Sequence, residues 1–545
     1  MSPRLVSAAL GLTGLAFATV SLGTDASAGS SHSPIAGSGS SWSSNAVNQW
    51  VADVEPNGLQ VVFTASGSAI GRKDFANKTT DFAVSDIGYQ GTDKLTGEQD
   101  TSQGRPYVYL PIVAGGTAFP YQVKVGGKLV RNLRLSGLTL AKIFTNQITN
   151  WNDPAITKDN HGKALPSKPI IPVVHSEGSG SSAQFTKYLD TVYPSIWRPF
   201  LGSSGGTEYF PRKGDAVAQN GSDGVMNYVA SDAADGAIGY DEFSYALGKN
   251  FPVAKVENSG GYFTLPTQYN VAVALTQAKI NTDKSSPNYL LQDLSKVYTY
   301  ADKRTYPLSS YSYMIIPTAS NDSRMTTAKR QTLADYLYYS ICDGQKEMGP
   351  IGYSPLPINL AQASFDQIAK LKQADNNVDL TKRNISKCGN PTFIAGQPNR
   401  NYLAEIAPQP PACDGANADP CTDSAALVAN PTKAGKVPTA SSPSTGTTRT
   451  GGTGRTATVA PVTTGATGPT TTGTVVPGTA TGTTPTADLA QTQGDAQAVP
   501  TELSSSRRPV TSAVLGPLAV LLLLAAVVAP PLMSRRLAEA DGEKT

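Results

Sequence analysis

Histidine is almost absent from this chain, and with it most of the usual acid-base and metal chemistry. His32, His161 and His175 are the only three in 545 residues and share no ligand spacing, and no Cys-x-x-Cys pair occurs, so neither a zinc site nor another metal site is expected. No Gly-x-x-x-x-Gly-Lys-Ser/Thr loop is present, which excludes that kind of nucleotide site. Charged residues make up only 16% and the formal net charge is +3, without a basic face or basic–aromatic interleaving. That composition argues against a nucleic-acid partner and leaves the attraction of any anion to local chemistry.

What is present divides the chain into segments. Residues 1–28 read as a secretory signal, with Arg4, an apolar stretch from Leu5 to about Leu22, and Ala26-Ser27-Ala28 as a small-residue cleavage site. Residues 428–509 are dominated by Thr, Gly, Pro, Ala and Ser, too poor in apolar groups to offset the entropy of ordering, and read as a disordered stalk. Val510 to Met533 is apolar or small throughout and would span about 36 Å as a helix, enough to cross a bilayer. Residues 534–545 then form a short cytoplasmic tail, with Ser534-Arg535-Arg536 as a stop-transfer flank. The pattern is that of a single-pass protein on the outer face of a Gram-positive-type envelope. It leaves residues 29–427 for an α/β folded part long enough for two lobes. Cys342, Cys388, Cys413 and Cys421 all fall in its later half, and sequence proximity favours Cys342–Cys388 with Cys413–Cys421, one of three possible pairings.

The most informative stretch is the apolar run Ile170 to Val174, the loop His175-Ser176-Glu177-Gly178-Ser179-Gly180-Ser181-Ser182, and then Phe185, Tyr188, Leu189 and Val192 at helical spacing. Strand, Gly/Ser loop and helix N-terminus together present unpaired backbone N–H groups, a partial positive charge and rotatable hydroxyls, a setting in which an oxyanion binds without metal. An ordinary N-cap of the same composition is the plainer alternative. Two further loops share the arrangement: Gly37-Ser38-Gly39-Ser40-Ser41-Trp42, before Val47, Trp50, Val51 and Val54, and Thr64-Ala65-Ser66-Gly67-Ser68. After the last comes Asp81-Phe82-Ala83-Val84-Ser85-Asp86, a short strand ending in a carboxylate.

At these residues the chain resembles the phosphate-binding proteins of bacterial phosphate ABC importers, in the two-lobed class II solute-binding superfamily. The resemblance extends through Leu138 to Pro154, Glu177 to Ser182, Asp223-Gly224-Val225, Gly236 to Tyr240, Ser244-Tyr245-Ala246, and Tyr306-Pro307-Leu308 near Tyr313 to Ile316, covering roughly residues 33–400. It implies one lobe of about 33–113 with 308–405 and another of about 114–307, crossed near 113–117 and 305–310, with the ligand cleft between them. It also implies capture of inorganic phosphate for a membrane permease and ATPase, with no cofactor and no catalysis. The family's anion contacts fall on Ser41, Trp42, Ser68, Ser179, Gly180 and Ser181, with Asp86 as the acceptor carboxylate. A buried carboxylate repels an oxyanion unless a proton lies between them, and phosphate at neutral pH carries one where sulfate does not.

One position departs from the family. His175 stands where an arginine is usual, two residues before Glu177, and is either a titratable substitute cation or a structural histidine at a strand end. Arg72 is a possible replacement cation, though a solvated helix face is its plainer role. The alternatives to phosphate capture are a wall-tethered receptor or adhesin, a binder of another oxyanion, and, less favoured, a serine hydrolase or phosphatase using Ser68 or Ser181 with His175. Against the last, Gly67-Ser68-Ala69-Ile70-Gly71 is not a nucleophile elbow.

Overall fold

Short β-branched and aromatic runs build the first sheet, in which Ile35–Gly39 lies between Val61–Thr64 at one edge and Phe82–Ser85. Strand Ile35–Gly39 runs parallel to both neighbours, Ile35 opposite Val61 and Gly37 opposite Phe82. The computed structural model describes residues 32–422 apart from 93–96, 98, 382 and 384. The expected signal (1–28), stalk (428–509), membrane helix (510–533) and tail (534–545) lie outside the described residues, among which no helix is long and apolar enough to cross a membrane.

In full, the first sheet runs Asp241–Glu242, Tyr107–Ala118, Ser309–Pro317, Phe82–Ser85, Ile35–Gly39, Val61–Thr64. Helices Ser44–Val54 and Ser68–Ala76 follow the two parallel strands Ile35–Gly39 and Val61–Thr64, so their N-termini gather at the carboxyl ends of those strands, where α/β sheets bind ligands. Helix Ser44–Val54 buries Val47, Trp50 and Val54, with Val51 half-buried at the edge of the same face. Gly39 has φ +139°, and a Cβ there would lie 1.9 Å from the Val84 carbonyl oxygen, so the turn into the first Gly/Ser loop requires glycine.

The second lobe is built on the parallel sheet Val217–Gln219, Ile171–His175, Ala237–Gly239. Helix Gly180–Val192 starts as the sequence periodicity predicts and buries Phe185, Tyr188 and Leu189, with Val192 half-buried. The Phe185 ring lies 5.0 Å from that of Tyr240 and 5.3 Å from that of Phe119. Each such buried side chain contributes roughly 1.5–3 kcal/mol, enough to fix the helix, and hence its N-terminus, on the sheet.

One strand serves both lobes. Tyr107–Ala118 pairs antiparallel with Ser309–Pro317 from Tyr107 opposite Pro317 to Gly116 opposite Ser309. The chain beyond it bridges the second lobe through Pro120 with Val253 and Tyr121 with Ile238. This is the two-lobed α/β arrangement of class II binding proteins.

Cys342 is joined to Cys388 and Cys413 to Cys421, the pairing that proximity favoured. The loop closed by Cys413–Cys421 is docked on the second lobe: Lys255 Nζ lies 2.5 Å from Asp414 Oδ1, Arg134 donates to the Cys413 and Gly415 carbonyls at 3.3 Å each, and Asn132 donates to the Cys421 carbonyl at 3.0 Å.

Candidate functional site

Asp86 ends the strand Phe82–Ser85 and is 2% exposed. The Ser40 hydroxyl, held by its backbone N–H on the Val84 carbonyl, lies 2.9 and 2.7 Å from the two Asp86 carboxylate oxygens. Ser68, the first residue of helix Ser68–Ala76, donates to Oδ2 at 3.3 Å. Burial raises the carboxyl's pKa above its ordinary value, and the hydrogen bonds of Ser312, Ser40 and Ser68 with the charge of Arg72 offset this only in part. A carboxylate in that setting is a strong acceptor for a proton brought by a ligand.

The second lobe brings its own helix N-terminus to this carboxylate. Ser179 caps helix Gly180–Val192, its hydroxyl accepting from the Ser182 N–H. A Cβ on Gly180 would lie 2.1 Å from Asp86 Oδ2 and 2.6 Å from Ser68 Oγ, so only glycine permits the approach. Across the same seam Gln184 Nε2 donates to the Asp86 carbonyl at 2.8 Å and the Ala69 N–H to the Gly178 carbonyl at 3.1 Å. Ser181 Oγ and Trp42 Nε1 are buried with no hydrogen-bond partner. A buried unsatisfied donor costs about 1–3 kcal/mol, and these two fall in the expected anion-contacting loops.

Of the expected anion contacts, the structure therefore draws Ser68, Asp86 and Gly180 together, with Ser179 capping the same helix. Ser41 goes elsewhere. Its hydroxyl accepts from the backbone N–H and hydroxyl of Ser222, at 3.1 and 3.0 Å, and its carbonyl accepts from Tyr245 OH. Ser222 belongs to helix Gly221–Val229, a fourth Gly/Ser helix start, whose Asn220-Gly221-Ser222 opening was the sequence signal for it. Ser40, one residue before Ser41, is the hydroxyl that meets Asp86.

His175 is 2% exposed with both ring nitrogens engaged: Nδ1 lies 2.8 Å from Glu177 Oε1, and Nε2 lies 3.3 Å from the Tyr240 carbonyl. Two acceptors satisfy the doubly protonated ring, which then has no N–H left for an anion. Burial acts to depress the imidazole pKa, but the hydrogen bond and charge of Glu177, with Asp241 behind them, leave it raised above 6.5. Burial likewise acts upward on Glu177, and the hydrogen bond and charge of His175 with the Gly221 N–H bring it below its ordinary value. Since Glu177 Oε2 accepts from Gly221 at 3.0 Å, His175 and Glu177 together hold the helix start that meets Ser41.

The pair has a signed pH dependence. His175, raised on folding, contributes stability that is complete below its unfolded pKa and is lost as pH rises through the raised value, whereas Glu177, depressed on folding, contributes above its unfolded pKa and loses that as pH falls. The native protein should accordingly exceed His175→Gln in Tm most at about pH 5.5, between the two unfolded values, with the gap closing toward pH 9. Thermal unfolding of both proteins across pH 4–9 checks this, and a gap that does not vary with pH would refute it.

Arg72 is not on a solvated face. It is fully buried, with Nε on Asp100 at 3.1 and 2.9 Å, NH1 on Ser85 Oγ at 3.0 Å and NH2 on both oxygens of Glu208 at 2.8 Å. With two carboxylates about one guanidinium, it is no replacement cation for the anion.

The PBP superfamily domain matches residues 24–344 of this chain. The chain is 33% identical over 326 residues to phosphate-binding protein PstS 2 of Mycobacterium tuberculosis, covering 59% of this chain and 82% of that protein. It is 28% identical over 337 residues to phosphate-binding protein PstS of Methanocaldococcus jannaschii, covering 60% and 83%. Among solved structures it is similar to a high-affinity periplasmic phosphate-binding protein bound with phosphate, at 20% identity and a TM-score of 0.48, covering 64% of this chain and 99% of that one.

Proposed function

This chain belongs to the phosphate-binding proteins of the PBP superfamily, and from that premise we propose that it captures inorganic phosphate outside the cell and delivers it to an ABC permease and ATPase. The observation that carries the reading is Asp86, a buried acceptor carboxylate set among the Ser40 and Ser68 hydroxyls, the Gly180 helix start and the unpartnered Ser181 hydroxyl. Donors hold the anion, and the carboxylate demands that it bring a proton, which favours phosphate over sulfate.

In this reading the site binds and releases without chemistry. Ser68 donates to a carboxylate, Ser181 has no base beside it, and His175 is committed to Glu177 and Tyr240. Ser41, Trp42 and Ser179 belong to the site as the family's contacts carried over by resemblance, and His175 acts on it through Glu177 and Gly221. The protein is proposed to be exported by residues 1–28 and held at the membrane by residues 510–533 on a stalk of residues 428–509, with 29–427 as the binding domain.

Calorimetry of residues 29–427 against phosphate, sulfate and molybdate tests the function. Phosphate should bind with at least tenfold preference over sulfate, and equal affinity for the two would overturn it. A protein cut after Ala429 should be secreted and keep the full chain's phosphate affinity. Retention on membranes, or loss of binding, would overturn the proposed division.

A further inference from the structure

Between the lobes lies an ion pair that the anion site does not use. Arg72 is carried by the first lobe, on helix Ser68–Ala76, and two of its partners, Asp100 and Ser85, belong to that lobe as well. Its third partner, Glu208, precedes strand Val217–Gln219 of the second lobe and is 7% exposed. The Glu208 carbonyl accepts from the Ser179 N–H at 3.0 Å, and Ser179 caps the helix whose Gly180 faces Asp86. One residue thus holds the cap of the second-lobe anion helix through its backbone and the first-lobe helix through its side chain.

The partition of partners matters. When the lobes part, Arg72 keeps Asp100 and Ser85, so its charge is never stranded. When they close, Arg72 NH2 meets both Glu208 carboxylate oxygens out of solvent, where charge-assisted bonds are strong and salt screens them little. The contact is therefore available to the closed state alone, and parting the lobes leaves the arginine paired.

We propose that Arg72 and Glu208 form a closure latch that sets how slowly bound phosphate leaves, and not which anion is chosen. This rests on the phosphate-capture reading. Glu208 is a positioning residue: it touches Arg72 and the Ser179 cap, and it acts on the ligand by keeping the lobes together.

The test is stopped-flow tryptophan fluorescence of the full-length protein with inorganic phosphate, native against Glu208→Gln, alongside thermal unfolding with and without phosphate. Glu208→Gln should release phosphate about 30-fold faster, with the association rate within about threefold of native. Its ligand-free Tm should match native while its phosphate-induced rise in Tm shrinks, and its phosphate-to-sulfate ratio should not change. In Arg72→Lys, which keeps the charge but has one nitrogen where Arg72 uses three for Asp100, Ser85 and Glu208, adding Glu208→Gln should accelerate release by much less than 30-fold, because the two act through one contact. An unchanged release rate in Glu208→Gln, or a ligand-free Tm that falls as far as the loaded one, would overturn the latch while leaving phosphate capture standing. A native protein that binds no phosphate would overturn both.

Discussion

Asp86→Asn is expected to lower the phosphate-to-sulfate affinity ratio by about 10- to 100-fold, the worth of one charge-assisted hydrogen bond exchanged for a repulsion or its relief. In the native site the carboxylate can only accept, so it accepts the proton that phosphate brings and repels an oxyanion that has none. The amide can turn its N–H₂ toward the anion, which removes the reason to prefer a protonated ligand. Ser40 and Ser68 would keep the side chain in place, since both hydroxyls donate to oxygens, one of which the amide retains. Parallel titration calorimetry with the two anions checks the ratio, and no change in it would remove Asp86 from the site. The variant carries a second signature. Because burial raises the Asp86 pKa on folding, the native fold loses stability as pH rises past the carboxyl's unfolded value, and the neutral amide escapes that loss. Ligand-free Asp86→Asn should therefore melt higher than native at pH 7.

Gly180→Ala should abolish tight binding, with a loss of at least about 100-fold, because its methyl group would occupy the space 2.1 Å from Asp86 Oδ2 and 2.6 Å from Ser68 Oγ. Neither neighbour can yield easily: Asp86 is pinned by Ser40, and Ser68 begins a helix. The clash exists only between lobes, so the open protein should fold normally and even gain from the replacement of glycine in a first helical turn. The measurements are phosphate affinity and ligand-free Tm together. Native affinity in the alanine variant would mean that the helix start does not approach Asp86 when phosphate is bound.

Much of this was legible locally. The run Ile170 to Val174, the Gly/Ser loop and the stripe Phe185, Tyr188, Leu189 and Val192 marked the second lobe's strand, found at Ile171–His175, with its turn and helix, since each rests on periodicity and capping within a few residues. The position of Asp86 at a strand end was equally local. What escaped were the partners. Arg72 pairs with Glu208 across 136 positions, and no spacing rule reaches that far. Yet Ser68, Gly71, Arg72, Phe75 and Ala76 recur at intervals of three and four, and all are buried. The helix face that carries Phe75 inward carries Arg72 with it, so the sequence already held the fact that this arginine is not solvated. For His175 the sequence showed Glu177 nearby but could not show the Tyr240 carbonyl, 65 residues on, that engages the other nitrogen. Nor could it show that Ser40, one residue before the expected contact Ser41, meets the carboxylate, or that Ser41 meets Ser222.

If residues 510–533 anchor the protein as proposed, the loop closed by Cys413–Cys421 is where a mechanical load would enter the fold. The Cys421 carbonyl is held by Asn132, and the loop behind it is anchored by Lys255 on Asp414 and by Arg134 on two carbonyls. Tension applied to the chain beyond that point is taken up by the disulfide and the second lobe, and passes into Arg134 and Lys255 on neighbouring strands of one small sheet. The paired strands Tyr107–Ala118 and Ser309–Pro317, which connect the lobes, belong to the other, larger sheet. A tug on such an attachment would be borne first by the second lobe, through Arg134 and Lys255, so that the proposed tether and the strands joining the lobes are separate parts of the molecule.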